Sequence, residues 1–69
     1  SGWVRIVNRD TTTTVLFGPT AAGAILTIPV ATTEDVLSAT NWGDLFIGTE
    51  GSLWLDGSGA NTRVSILGL

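Results

Sequence analysis

The chain has 69 residues, a mass of 7.1 kDa and a net charge of -3. This length allows a single domain over residues 1–69 and excludes most enzyme folds, because chains divide into separate cores only when they are several times longer. Charged residues make up only 13% of the chain, whereas 43% of the residues are hydrophobic. So few charges cannot cover a small globule, and we expect the remaining apolar side chains to contact further copies of the chain or a larger partner.

The missing residue types exclude several kinds of chemistry. The chain has no His, Cys or Lys, and its only cations are Arg5, Arg9 and Arg63. A Ser or Thr nucleophile would lack a base other than a carboxylate or the N-terminal amine, so we predict that the protein is not an enzyme and uses no cofactor. The negative charge argues against nucleic acid and membrane surfaces as partners. We also predict no metal site, because the loop 56–61 has Ala60 where a calcium loop needs a ligand.

The first half of the chain alternates in the manner of strands. Valine, isoleucine and threonine make up about a third of all residues, which favours β structure. Gly2–Asn8 places Val4 and Ile6 on one aliphatic face, and a turn separates it from a second strand at Thr13–Phe17. A third strand is predicted at Ala24–Val30. Because proline lacks the N–H that a central ladder needs, Pro29 predicts that this strand lies at a sheet edge or ends there.

The middle of the chain is ambiguous. Glu34–Ala39 has the cap and first-turn acids of a short helical turn, and a strand over Val36–Thr40 is the alternative. Asn41–Asp44 has the composition of a turn.

The second half predicts a hairpin and a closing strand. Leu45–Thr49 and Ser52–Asp56 flank Glu50-Gly51 as a two-residue loop, which would pair the two segments and leave apolar side chains on both faces. Thr62–Leu69 forms the last strand. Six to seven short strands with mostly turn-length connections predict an all-β fold, an antiparallel β-sandwich or a partly closed barrel.

The order of these segments resembles a known class of proteins. Val-Asn-Arg at the end of the first strand, Thr-Val-Leu-Phe-Gly, Gly-Ala-Ile-Leu-Thr-Ile-Pro-Val, Asp-Leu-Phe-Ile-Gly-Thr and the terminal Thr-Arg-Val-Ser-Ile-Leu-Gly-Leu follow one another. This pattern is similar to the small β-sandwich virion proteins of tailed bacteriophages, which decorate capsids or belong to tails. The resemblance implies a structural protein of the virion that forms a homo-oligomer, such as a trimer, and binds capsid or tail subunits. The arm over residues 50–61 departs from the simplest form of the pattern.

Two hypotheses assign residues to function. The first is a non-enzymatic subunit that self-associates and binds a protein lattice through an apolar interface. Its interface candidates are Trp3, Ile47, Trp54, Leu67 and Leu69. The alternative is a lectin-like module, since exposed Trp stacks on sugar rings while Asp and Asn bond the hydroxyls of a glycan. Its candidates are Trp42, Asp44, Trp54, Asp56 and Asn61. A third hypothesis is a β module of a longer protein.

Overall fold

The fold is all-β, as predicted, and forms an open sandwich. The computed structural model describes residues 2–48, 51–59 and 61–69. Its six strands are β1 (Trp3–Asn8), β2 (Val15–Gly18), β3 (Leu26–Ile28), β4 (Trp42–Phe46), β5 (Trp54–Gly57) and β6 (Val64–Gly68). They form two antiparallel sheets, the β1 sheet with the order β4-β1-β6 and the β2 sheet with the order β3-β2-β5. Neither sheet closes into a barrel.

The core lies between the two central strands. Ile6 of β1 packs with Val15 and Phe17 of β2 and with Ile28 of β3, and all four side chains are buried. Successive side chains of a strand point to opposite faces. Val4 and Ile6 therefore face the core, as the predicted aliphatic face requires, and the odd-numbered residues of β1 lie on the outer face of its sheet.

A glycine brings the two sheets close together. Gly43 of β4 lies opposite Ile6 in the β1 sheet. A Cβ at this position would come within 2.8 Å of the Phe17 Cζ atom, which is closer than real Cβ contacts. The missing side chain thus makes the space into which the Phe17 ring packs.

The predicted hairpin over residues 45–56 is wrong. β4 pairs with β1, with Val4 opposite Leu45, whereas β5 pairs with β2, with Phe17 opposite Leu55. The two segments therefore lie in different sheets, and the chain crosses the sandwich between them. Thr49 of the predicted first strand and Glu50 of the predicted loop lie outside the described residues. Each predicted strand overlaps an observed one only in part, and each observed strand pairs with a partner from a distant part of the chain.

Two other predicted segments differ from the structure, and one agrees with it. Residues 31–40 form neither the helical turn nor the strand but an irregular turn, in which Asp35 has a φ of 64°. β4 begins at Trp42, within the segment predicted as a turn. β3 is an edge strand that ends just before Pro29, which confirms the prediction made from that proline.

Candidate functional site

The outer face of the β1 sheet carries three rows of side chains, which we call the aromatic face. The register places Phe46 beside Trp3, Asp44 beside Arg5, and Trp42 beside Val7. On the other side of β1, Leu67 lies opposite Arg5 and Ser65 opposite Val7. The amide of Leu69 donates a hydrogen bond to the carbonyl of Trp3. The aromatic face therefore comprises Trp3, Arg5, Val7, Trp42, Asp44, Phe46, Ser65, Leu67 and Leu69.

The upper row of this face is aromatic and exposed. The rings of Trp3 and Phe46 meet edge to face, with 5.4 Å between their centroids and 62° between their planes. Both side chains are nevertheless exposed, as are Leu67 of β6 and Leu69, which follows that strand. Edge-to-face contact is a favoured geometry for an aromatic pair. The result is an apolar surface that faces outward.

An ion pair occupies the centre of the aromatic face. Arg5 donates from Nε and Nη2 to the two carboxylate oxygens of Asp44, at 2.8 and 2.9 Å. Its guanidinium carbon lies 4.2 Å from the ring centroid of Trp42. The hydrogen bonds from Arg5 lower the pKa of Asp44, so the carboxylate stays charged and paired at neutral pH. The two charges cancel, so this pair leaves no net charge at the centre of the aromatic face.

A shallow hollow lies at the lower end of the aromatic face. It has a volume of about 360 Å³, and its lining consists of Val7, Arg9, Asp35, Leu37, Ser65 and Leu67. The Arg9 Nε atom lies 3.0 Å from the Asp35 carboxylate. Residues of the loop 31–40 thus line this depression together with residues of β1 and β6.

Two buried asparagines bind the backbone of irregular segments, and one of them, Asn41, binds that loop. Asn8 Nδ2 donates to the carbonyl oxygens of Thr13 and Pro29, at 2.7 and 3.2 Å. Asn41 Nδ2 donates to the carbonyls of Asn8 and Val36, at 2.8 and 2.9 Å. No buried side-chain polar atom among the described residues lacks a partner. Asn41 thus holds the loop 31–40 through side-chain bonds to its backbone, whereas Asn8 holds the turn after β1 and the chain at Pro29.

A charge cluster ties the same loop to the start of β6. Arg63 pairs with Asp10 at 3.2 Å, with Glu34 at 2.9 Å and with Asp35 at 3.2 Å. The backbone amide of Arg63 also donates to the Asp10 carboxylate. This amide hydrogen bond, followed by those from the Arg63 and Thr13 side chains, lowers the pKa of Asp10.

The predicted interface residues are divided between several surfaces. Trp3, Leu67 and Leu69 lie together on the aromatic face. Trp54 lies on the outer face of the β2 sheet, since it is opposite Gly18 and alternates with the inward-facing Leu55. Ile47 follows β4, where its amide donates to the carbonyl of Gly2.

The predicted glycan-binding residues are not brought together. Trp42 and Asp44 lie on the aromatic face, whereas Trp54 and Asp56 lie on the outer face of the other sheet. Asn61 precedes β6 in a left-handed conformation, with a φ of 61°. In addition, Arg5 covers one face of the Trp42 ring and occupies both carboxylate oxygens of Asp44. The groups that would stack on and bond a sugar are therefore divided between opposite sides of the sandwich.

Phe46 and Arg5 are among the residues of the aromatic face that sequence reasoning missed. Phe46 was assigned to the wrong hairpin, which hid its position beside Trp3. Arg5 was recognised only as a member of the mixed face of β1. The sequence did contain a signal for Arg5. This residue lies two positions after Trp3 and so on the same side of a strand, and an arginine beside exposed aromatic side chains is typical of interfaces.

Comparisons with known proteins give no further assignment. No family model matches the chain, and searches of curated proteins and of solved structures likewise find no match. Within the described parts of the chain, no helix is long and apolar enough to cross a membrane. The same residues contain no group of three or more acidic side chains arranged to hold a metal ion.

Proposed function

We propose that the protein is a non-enzymatic structural subunit that docks onto a protein lattice through the aromatic face. The observation that carries this proposal is the concentration of exposed Trp3, Phe46, Leu67 and Leu69 around the Arg5–Asp44 pair. Water is a poor solvent for such a surface, and a protein partner that covers it removes apolar area from water.

The chemistry of this face fits a protein partner better than other classes. Tryptophan, phenylalanine and arginine are enriched at the centres of protein interfaces, whereas unpaired charges are depleted there. The Arg5–Asp44 pair already satisfies its own charges within the face. A partner can therefore cover the face without burying an isolated charge.

We propose a virion as the site of this lattice, with the protein as a capsid decoration or tail-associated subunit. The support is the order of strand segments, which resembles small virion proteins of tailed bacteriophages, together with the charge-poor composition. A subunit of a repeating assembly places its apolar surface against its neighbours. A net charge of -3 then maintains solubility before assembly.

The test compares two tryptophans of equal exposure on opposite sheets. Trp3 is 46% exposed on the aromatic face, and Trp54 is 49% exposed on the outer face of the β2 sheet. Trp3→Ser and Trp54→Ser are each mixed with wild-type protein and offered to particles that lack the subunit, made from the genome that encodes this chain. Mass spectrometry then gives the ratio of variant to wild type in the particles.

The proposal predicts that Trp3→Ser loses at least tenfold in incorporation, since a buried aromatic anchor contributes more than about 1.4 kcal/mol to binding. Trp54→Ser should be incorporated like the wild type. Loss with Trp54→Ser alone would assign docking to the other face. If wild-type protein does not enter the particles at all, the proposed function is wrong. Binding of the free protein to a glycan array would then favour the lectin alternative.

A further inference from the structure

The free edge of β6 presents apolar side chains on both sides of the strand. Among the described strands, β6 pairs only with β1, so its second edge borders no other strand. Ile66 faces inward, in the same direction as Ile6 opposite it, yet it is 51% exposed. Leu67 on the outward side is exposed as well. A Cβ built on Gly68 would meet no atom within 4 Å, so the inner side of this edge is open.

The backbone of this edge is arranged to accept another strand. Arg9 donates to the carbonyl of Arg63, and Leu69 donates to the carbonyl of Trp3. In an antiparallel ladder such bonded pairs alternate with non-bonded ones. The odd-numbered residues of β6 therefore bond β1, and the N–H and C=O groups of Val64, Ile66 and Gly68 point away from the sheet. An exposed apolar edge of this kind is a template for strand pairing.

We propose that β6 pairs with β6 of a second copy of this chain, antiparallel and about a two-fold axis at Ile66. This inference rests on the proposed function in that it supplies the self-association of the structural subunit. The axis places Ile66 opposite itself, and Val64 opposite Gly68 of the second copy. In this register Val64, Ile66 and Gly68 of each copy all form backbone hydrogen bonds to the other copy. A shift in either direction leaves one of them without a bonded partner. The β1 sheets of the two copies join as β4-β1-β6-β6-β1-β4.

Charge and side-chain size favour a second copy as the occupant. β6 carries no charged residue, so self-pairing opposes no like charges along the strand. Arg63 then lies roughly 20 Å along the strand from its counterpart, which is beyond the range of effective repulsion in physiological salt. A parallel pairing would place the two arginines side by side. Val64 of one copy fits the open space beside Gly68 of the other.

The pairing also enlarges the proposed docking surface. The two-fold axis of an antiparallel strand pair is perpendicular to the sheet, so both aromatic faces point in the same direction. Leu67 of each copy lies beside the junction. One dimer therefore presents two aromatic faces as a single surface, and a repeating lattice binds such a divalent surface more tightly than one face alone.

The first arm of the test places a charge on the edge. Ile66→Lys adds an inward-pointing charge to β6, a device by which natural edges avoid pairing. Leu26→Lys is the matched control, because Leu26 is 49% exposed on the inner side of the edge strand β3. Sedimentation of the wild type at micromolar concentration should give twice the 7.1 kDa mass of the chain. Ile66→Lys should weaken this dimer at least tenfold, and Leu26→Lys should leave it unchanged.

The second arm needs no variant. Amide exchange of the wild type is followed by NMR above and below the concentration at which the dimer dissociates. We expect the amides of Val64, Ile66 and Gly68 to exchange at least tenfold more slowly in the dimer. A monomer at all concentrations, a trimer, or a dimer in which these three amides gain no protection would overturn the proposal. Protection that arises only on particles would assign the edge to a lattice strand instead.

The two proposals fail separately. If Ile66→Lys is monomeric and Trp3→Ser alone is lost from particles, both stand. If the wild type is monomeric but enters particles through Trp3, the pairing of β6 is wrong and the docking function stands. If the wild type dimerises through β6 but never enters particles, the docking function is wrong and the pairing stands.

Discussion

Replacing Asn41 by alanine should strongly destabilise the protein, although the residue belongs to no hydrophobic cluster. Its Nδ2 atom donates to the carbonyls of Asn8 and Val36. Its Oδ1 atom accepts from the amide and the hydroxyl of Ser38, at 2.6 and 2.9 Å. Asn41 is completely buried, so water does not reach its side chain in the folded protein.

The magnitude follows from those bonds. Each intramolecular hydrogen bond contributes about 1 kcal/mol net, so losing four costs about 4 kcal/mol, and buried groups left unpaired add to that cost. A chain of this length has a free energy of unfolding of roughly 3–10 kcal/mol. The expected decrease in melting temperature is about 15–30 °C for a domain of this size.

Urea and thermal unfolding of Asn41→Ala, followed by tryptophan fluorescence, measure this change. Asn61→Gly is the control, because Asn61 is exposed and glycine tolerates its positive φ. The control should stay within about 0.5 kcal/mol of the wild type, as surface substitutions usually do. A loss below about 1 kcal/mol in Asn41→Ala would refute the reasoning, because four buried hydrogen bonds cannot contribute so little in total.

Two further predictions concern the sheet contact and the charge cluster. Gly43→Ala should destabilise the protein by about 1–3 kcal/mol in the same unfolding assay, because the new Cβ overlaps the Phe17 ring. An unchanged stability would contradict the close approach of the sheets. The lowered pKa of Asp10 means that the unfolded chain binds more protons below the ordinary value of 3.8. The stability that its bonds to Arg63 provide is therefore present at neutral pH and is lost as the pH falls below that value. Asp10→Asn should flatten this acid dependence, and an identical pH profile would count against it.

The sequence predicts strands well where one face of a strand is apolar. β1, β2 and β6 lie within two residues of the segments predicted for them, because their alternation has the period of a strand. Pro29 marks the end of β3 for a local reason, since it lacks an N–H.

Pairing between strands was not predictable in the same way. The Glu50-Gly51 signal favoured a local hairpin, but β4 pairs with β1, from which it is separated by β2 and β3. Alternation shows that a segment is a strand and which residues share a face, but it does not identify the partner strand.

The residues of the aromatic face were likewise only partly predictable from the sequence. Trp3, Leu67 and Leu69 were identified because each is apolar on a strand near one end of the chain. Phe46 and Arg5 become part of the face only through the register of three strands that are distant in sequence. The roles of Asn8 and Asn41 depend on which backbone groups the irregular segments leave to be satisfied, and no local pattern contains that information.

The most direct test of the docking function is the footprint of the wild-type protein on its particle. Hydroxyl-radical labelling, read by mass spectrometry, compares the side chains of the free and the particle-bound protein. We predict strong protection of Trp3 and Phe46 on the particle and unchanged labelling of Trp54, which lies on the opposite face. Equal labelling of Trp3 in both states, or protection of Trp54 alone, would contradict the assignment of docking to the aromatic face.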